Sequence, residues 1–162
     1  MNRRERRRRG NVRRAARSSI GGRGARRHEE KRPRGLQLAI AAHDEGRVHE
    51  ALRLYHLFLA VRPDDVDALN LAGIAAIQAG AYDAAIELLG AAVRHNPGAA
   101  DTHYNLGVAL ARLRRFDEAG SACRRALALS PHHAGAKAAV RSTAARKQRQ
   151  LTQPSLQPLE SS

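Results

Sequence analysis

The chain has 162 residues and a net charge of +14, with Arg far outnumbering Lys among its 29 basic side chains. Aromatic residues make up only 3% and Trp is absent, so any core has to be assembled from Leu, Ala, Val and Ile, which suits thin helical layers better than a deep globular centre. A single cysteine, Cys123, excludes an internal disulfide, and no stretch approaches the ~18 apolar residues that a membrane-spanning helix needs.

The charge is concentrated at the ends. Residues 1–34 hold 14 Arg and one Lys against Glu5, Glu29 and Glu30, a net +12. Residues 35–133 hold nine basic and eleven acidic groups, a net −2, and residues 134–162 hold five basic groups against Glu160, a net +4. The length fits one domain with tails. The first 34 residues contain no Phe, Tyr or Trp, and beyond Met1 only Val12 and Ile20 are larger apolar side chains. Too little surface can be buried there to offset conformational entropy, which predicts a disordered basic arm. Arg6, Arg7, Arg8, Arg9, Arg13 and Arg14 would supply its contacts to nucleic acid or another anionic surface. Without aromatic side chains no base stacking is available, so sequence preference is not expected. Two plainer readings stand beside this one. The arm is a solvated leader, or it is translation upstream of the true start, since Arg-for-Lys bias is what GC-rich coding DNA produces. No apolar signal segment follows the basic start, and the expected location is cytoplasmic.

From Gly35 onward the sequence is periodic. Pro63, Pro97 and Pro131 are spaced 34 apart, as are Ala51, Ala85 and Ala119. Three places before those alanines stand Val48, Tyr82 and Phe116; upstream, Ala39, Gly73 and Gly107 align, and so do Ala41, Ala75 and Ala109. A fixed period of this size marks a repeat array. The first unit (32–65) predicts helices over Leu36–Glu45 and Val48–Val61, with Gly46 at the turn and Arg62-Pro63 as the stop. The second (66–99) predicts Asp67–Ala79 and Tyr82–His95, broken by Gly80 and stopped by Asn96-Pro97. The third (100–133) predicts Asp101–Leu113 and Phe116–Leu129, stopped by Ser130-Pro131. Gly and Ala in the aligned columns let paired helices approach closely.

Residues 134–150 read as a capping helix. Ala136, Val140 and Ala144 would face the last unit, with Lys137, Arg141, Lys147 and Arg149 in water. From Leu151, "LTQPSLQPLESS" reads as an unstructured tail.

Few residues suggest chemistry. His49 and His56 are two helical turns apart, His132-His133 falls in a turn, and no His-x-x-x-His pair occurs, so neither a metal nor a cofactor is expected. Asp64, Asp65, Asp117 and Glu118 complement helix N-termini. Asp44-Glu45 lies near a helix C-terminus, where solvation or a partner contact explains it better. Cys123 shares a bulky apolar column with Tyr55 and Leu89 and reads as a packing residue. No nucleophile, phosphate loop or acid–base pair is visible, so the chain does not read as an enzyme.

The two-helix, 34-residue unit resembles the tetratricopeptide repeat. Leu106-Gly107, Phe116, Ala119, Ala126 and Pro131 carry the likeness, with Gly73, Tyr82, Ala85, Ala92 and Pro97 one unit earlier. It departs at Gly35, Leu69 and His103, where an early aromatic is usual, at Arg114 in place of the inter-helix glycine, and at Phe58 in an alanine column. The resemblance implies an all-α, right-handed solenoid of three helix-turn-helix repeats plus the C-terminal capping helix. It also implies an adaptor or scaffold holding a partner peptide or helix in its concave groove. The groove residues it implies are Ile40, Asp44, Asn70, Ile74, Gln78, Asp101, Tyr104, Asn105, Val108 and Arg112, with Leu36, Gln37, His43 and Leu71 nearby. Members that hold a chaperone's terminal carboxylate use Lys, Arg and Asn where this chain has Leu36, Ile40, Leu71, Asp101 and Asn105, and only Asn105 fits. "HYNLGVALARLRRFDEA" and "RRALALSPHHA" are similar to the repeats that precede bacterial O-linked N-acetylglucosamine transferases, which implies a detached array without the catalytic domain. Self-association through the apolar ends is a further expectation.

Overall fold

The computed structural model describes residues 32–152, and these form seven α-helices with no strand. They are α1 (Arg34–Asp44), α2 (Val48–Val61), α3 (Val66–Ala79), α4 (Tyr82–His95), α5 (Ala100–Arg112), α6 (Phe116–Leu129) and α7 (Ala134–Thr152). Each helix packs on the next, and α1, α3, α5 and α7 also touch one another in sequence. This is the contact pattern of a stacked all-α solenoid. Residues 1–31 and 153–162 lie outside the described residues, and with them the arginine arm and most of the tail.

The turns show why the units have two helices. Gly46, Gly80 and Arg114 occupy the left-handed region at φ 79°, 80° and 62°. At all three the following amide reaches back to close the helix end: Arg47 N–H to Ala42 O at 2.9 Å, Ala81 N–H to Ala76 O at 2.9 Å, and Arg115 N–H to Leu110 O at 3.0 Å. The second helices end differently. Arg62, Asn96 and Ser130 are extended at φ −131°, −137° and −138°, because each precedes a proline that excludes the helical conformation.

Close crossing explains the small residues. A Cβ on Gly73 would lie 2.5 Å from Leu89 Cγ. One on Gly107 would overlap Cys123 Sγ and lie 3.0 Å from the Ala119 carbonyl oxygen. Ala51, Ala85 and Ala119 are wholly buried, as are Tyr55, Leu89 and Cys123 in the adjoining column. Burial pushes the Cys123 thiol pKa up, against the opposing pull of Arg124, which suits a packing residue.

Caps are less regular than the periods suggest. Asp65 accepts from Ala68 N–H at 2.9 Å and caps α3, whereas Asp64 faces His95 Nε2 at 3.4 Å. Asp117 and Glu118 do lie in the first turn of α6.

The last helix departs from expectation in two ways. It runs to Thr152, so Leu151 continues the helix instead of starting the tail. Ala144 is exposed, and Thr143 is buried in its place, its hydroxyl donating to Ala139 O at 2.9 Å. The reason is register. Ala136, Val140 and Thr143 fall 34 residues after Thr102, Leu106 and Ala109, so α7 packs as the first helix of a fourth unit. Lys137 and Arg141 then stand where His103 is buried and Gly107 meets the second helix, and both are exposed. Two charges on that face make α7 a terminus.

Candidate partner-binding groove

The first helices lie on the inside of the curve, since they touch one another across units while the second helices make no comparable contacts. The 34-residue register then lays aligned residues along this inner face. Ile40, Ile74 and Val108 form a half-buried apolar floor, joined by half-buried Leu71. Asp44, Gln78 and Arg112 form one exposed lip, and Asp67 and Asp101 the other. Leu36, expected beside this floor, is buried in the core at 2% exposure.

Side-chain pairs tie the first helices together. Asn105 Nδ2 donates to Asn70 Oδ1 at 3.3 Å, linking α5 to α3. His43 Nε2 donates to Gln78 Oε1 at 3.1 Å, linking α1 to α3, and in that tautomer Nδ1 accepts from the Tyr55 hydroxyl at 3.4 Å. Arg32 approaches Asp67 at 3.5 Å. Three of these pairs bridge residues 35 apart, one more than the repeat period, so they were readable as cross-unit neighbours once the period was known.

Tyr104 is placed differently from the other groove candidates. Its ring lies 4.8 Å from that of His133, tilted by 49°, and Gly135 lets α7 pass against it, since a Cβ there would meet Tyr104 Cζ at 2.9 Å. His133 holds this corner in two ways. Its Nδ1 accepts the Ala136 N–H at 3.1 Å and caps α7, and its Nε2 stands 3.0 Å from Asp101 Oδ1 at an angle too poor for a full hydrogen bond. One face of Tyr104 is therefore occupied by the chain itself. Sequence reasoning placed His133 in an ordinary turn; its position three residues before the first buried residue of α7 was the signal for a cap.

Two tyrosines of the first-helix layer and the core behind it are shifted by burial. Burial pushes the Tyr55 pKa well above the usual tyrosine value, with the Asp44 charge adding and Arg32 opposing. Burial also raises Tyr104, helped by Cys123. Both stay protonated donors at neutral pH. Among the described residues no group of three or more His, Cys, Asp or Glu side chains gathers to hold a metal. No described helix is long and apolar enough to cross a membrane. What the groove offers is an apolar floor, two amides at its centre and charged lips.

Known proteins share this fold. The family model for the tetratricopeptide repeat matches residues 36–89 and 73–134. No curated protein matches the chain in sequence. Among solved structures, MamA of AMB-1 is 33% identical over 71% of this chain and 68% of its own, with a TM-score of 0.67. MamA of MSR-1 is 31% identical over 70% of this chain and 66% of its own, with a TM-score of 0.66. The first tetratricopeptide domain of human RPAP3 shares the fold at 18% identity and a TM-score of 0.70, over 74% of this chain and 94% of that domain. Repeat period, helix pairing and sequence model agree, and the chain belongs to the tetratricopeptide-repeat family.

Proposed function

We propose that the chain is a non-catalytic adaptor or assembly scaffold that holds a peptide or helix of a protein partner on the α1–α3–α5 face. The Asn70–Asn105 pair is the observation that supports this most directly. Asn105 donates to Asn70, which leaves the Asn70 amide N–H groups and the Asn105 carbonyl unused at the centre of the groove. A peptide unit carries one donor and one acceptor, so a bound backbone can satisfy both. Ile40, Ile74 and Val108 beneath it would cover apolar side chains of the same segment.

A structure of the first tetratricopeptide domain of RPAP3 bound to the HSP90 peptide SRMEEVD shares this fold, at 18% identity and a TM-score of 0.68. That likeness supports a segment in the groove but not that ligand. Leu36 is buried, Ile40 and Leu71 carry no charge, and Asp101 would repel a terminal carboxylate. The favoured occupant is an apolar segment without acidic residues near Asp101.

The test compares the full chain with its Ile74→Arg variant as baits in nuclease-treated lysate, after matching their thermal melts. The partner should be retained by the first and lost by the second. Once it is identified, Asn70→Ala with Asn105→Ala should weaken binding about tenfold. Equal retention by Ile74→Arg sinks the groove reading. A repeat array serving a separately encoded transferase is a variant of this reading, and it predicts that the retained partner carries the catalytic domain.

The composition of residues 1–34, net +12, favours a second reading in which the arm binds nucleic acid and the repeats are its scaffold. Binding to duplex DNA would then fall with salt at a slope of about −0.9 per phosphate neutralised. Removing residues 1–34 would abolish it.

A further inference from the structure

The array is electrically lopsided. Residues 32–111 hold six Arg against nine acidic groups, a net −3, whereas residues 112–152 hold ten Lys and Arg against Asp117 and Glu118, a net +8. All ten of those basic side chains are exposed. The two acids are already engaged, Asp117 by Lys147 at 2.5 Å and Glu118 by Arg115 at 2.7 Å. Of the seven described helices, α7 alone contains no acidic residue. Helices α2 to α6 each place one in the first turn, where the helix dipole favours it. In α7 that turn has none, and Lys137 follows at the fourth position, against the dipole. A terminus that needed only solubility would be served equally by Glu, so the sign of the charge calls for another cause.

We infer that the outward side of α7 is a docking surface for the phosphate backbone of a nucleic-acid duplex, separate from residues 1–34. Lys137, Arg141 and Arg149 fall on one i, i+4 ridge, with Ala145 between the last two. That row is about 18 Å long and winds about a third of a turn round the helix, as a phosphate backbone winds round its own axis. Arg146 stands on the next ridge. Arg124 of α6 flanks the helix, since a Cβ on Gly120 would lie 3.2 Å from Arg124 Nη1 and 3.7 Å from Thr143 Oγ1. Among the described residues Lys137, Arg141, Arg146 and Arg149 enter no ion pair. Ala138, Ser142 and Ala145 beside them are small enough for a backbone to come close.

Other anionic partners fit less well. A protein interface draws on aromatic or large anchors, and a membrane-surface helix on an apolar side. The outward side of α7 has neither. Leu151, the one large apolar side chain exposed on α7, lies on the far side of the helix from Arg149 and lines a cleft with Phe116. With no aromatic ring for base stacking, the contact reads phosphate charge and not sequence. The inference does not rest on the arm reading, under which removing residues 1–34 leaves no duplex binding.

Fluorescence anisotropy of a labelled duplex of about 20 base pairs, titrated with the full chain over a range of salt, tests the assignment. Lys137→Gln, Arg141→Gln and Arg149→Gln in one chain should make the slope of log K against log salt shallower by about 3. Binding at low salt should weaken about tenfold or more, with an unchanged melt, because the three positions are exposed and Gln is a good helix former. The charge-preserving set Lys137→Arg, Arg141→Lys and Arg149→Lys should keep the wild-type slope. No duplex binding by wild type overturns the inference. So does a glutamine variant with the wild-type slope, which leaves residues 1–31 as the binder. Loss of slope in the charge-preserving set overturns it by tracing the effect to the helix itself. Displacement of the labelled duplex by poly-glutamate or by phosphatidylserine vesicles, at equal charge, as readily as by unlabelled duplex overturns it in favour of an acidic protein or a lipid surface respectively.

Discussion

In the second repeat Gly73 faces Leu89, Gly80 closes the turn and Asp65 caps the first helix; in the third, Gly107 faces Cys123, Arg114 closes the turn and Ala99 caps nothing. The backbone is nevertheless the same, with matching helix lengths and the same closing hydrogen bonds. The comparison separates what the repeat requires from what merely helps it. Both units keep a glycine at the helix crossing, because Leu89 and Cys123 leave a Cβ nowhere to go, whereas the first repeat holds a buried Ala39 at the same position, so the requirement is for a small residue matched to the side chain opposite. The turn glycine and the cap are each worth roughly 1 kcal/mol, so stacking against neighbours can stand in for them.

The crossing should therefore be the most sensitive point. Gly107→Ala should cost about 2–3 kcal/mol, since its Cβ meets a backbone carbonyl as well as a side chain. Gly73→Ala meets the Leu89 side chain first, which has rotamers to shift, and should cost less. Thermal or urea unfolding of the two variants decides it, and equal losses would mean that side-chain overlap alone sets the cost. The cap comes next. Asp65→Ala should lose about 1 kcal/mol, and Ala99→Asp should gain nearly as much, because Ala99 has almost the same backbone (φ −82°, ψ 98°) as Asp65 (φ −71°, ψ 103°). The turn is third. A left-handed Arg costs about 1–2 kcal/mol and a glycine about 0.5–1 in chain entropy, so Arg114→Gly should raise stability by about 0.5–1 kcal/mol in the same unfolding assay.

How far these devices were legible follows from whether they repeat. The helices, the turn positions and the Gly73 and Gly107 crossings recur at one spacing, so sequence alone places them. The Arg114 turn was visible as a break in a glycine column. The Tyr104–His133 contact was not, because His133 has no counterpart in a column: its corner exists only where the array ends. Thr143 was missed for a related reason. Reading α7 as an isolated amphipathic helix favours Ala144, whereas carrying the period past Pro131 selects Thr143 through Ala75 and Ala109. In the groove the floor follows from the period, but which side chains pair across units depends on the solenoid's pitch, which no single unit encodes.

The smallest effect at neutral pH concerns the column Tyr55, Leu89 and Cys123, which is ionisable in the first and third repeats and inert in the second. Burial raises the pKa of Tyr55, Cys123 and nearby Tyr104 in the folded state. The sign follows directly. Each group is protonated in both states below its unfolded pKa, about 8.5 for Cys and 10 for Tyr, so its full contribution to stability is present there. Above that value the unfolded chain releases a proton that the folded chain keeps. Stability then falls by up to about 1.4 kcal/mol per pH unit for each group until the folded pKa is reached. Tyr55→Phe should be close to neutral at pH 7, because the hydroxyl's one contact, to His43, is long at 3.4 Å and His43 is open enough for water to replace it. Above pH 10 the variant should lose stability more slowly than wild type, and the gap between the two melting curves should widen with each further step in pH. Parallel curves would show that ionisation of Tyr55 plays no part in alkaline unfolding, and that the first repeat is as inert in this column as Leu89 makes the second.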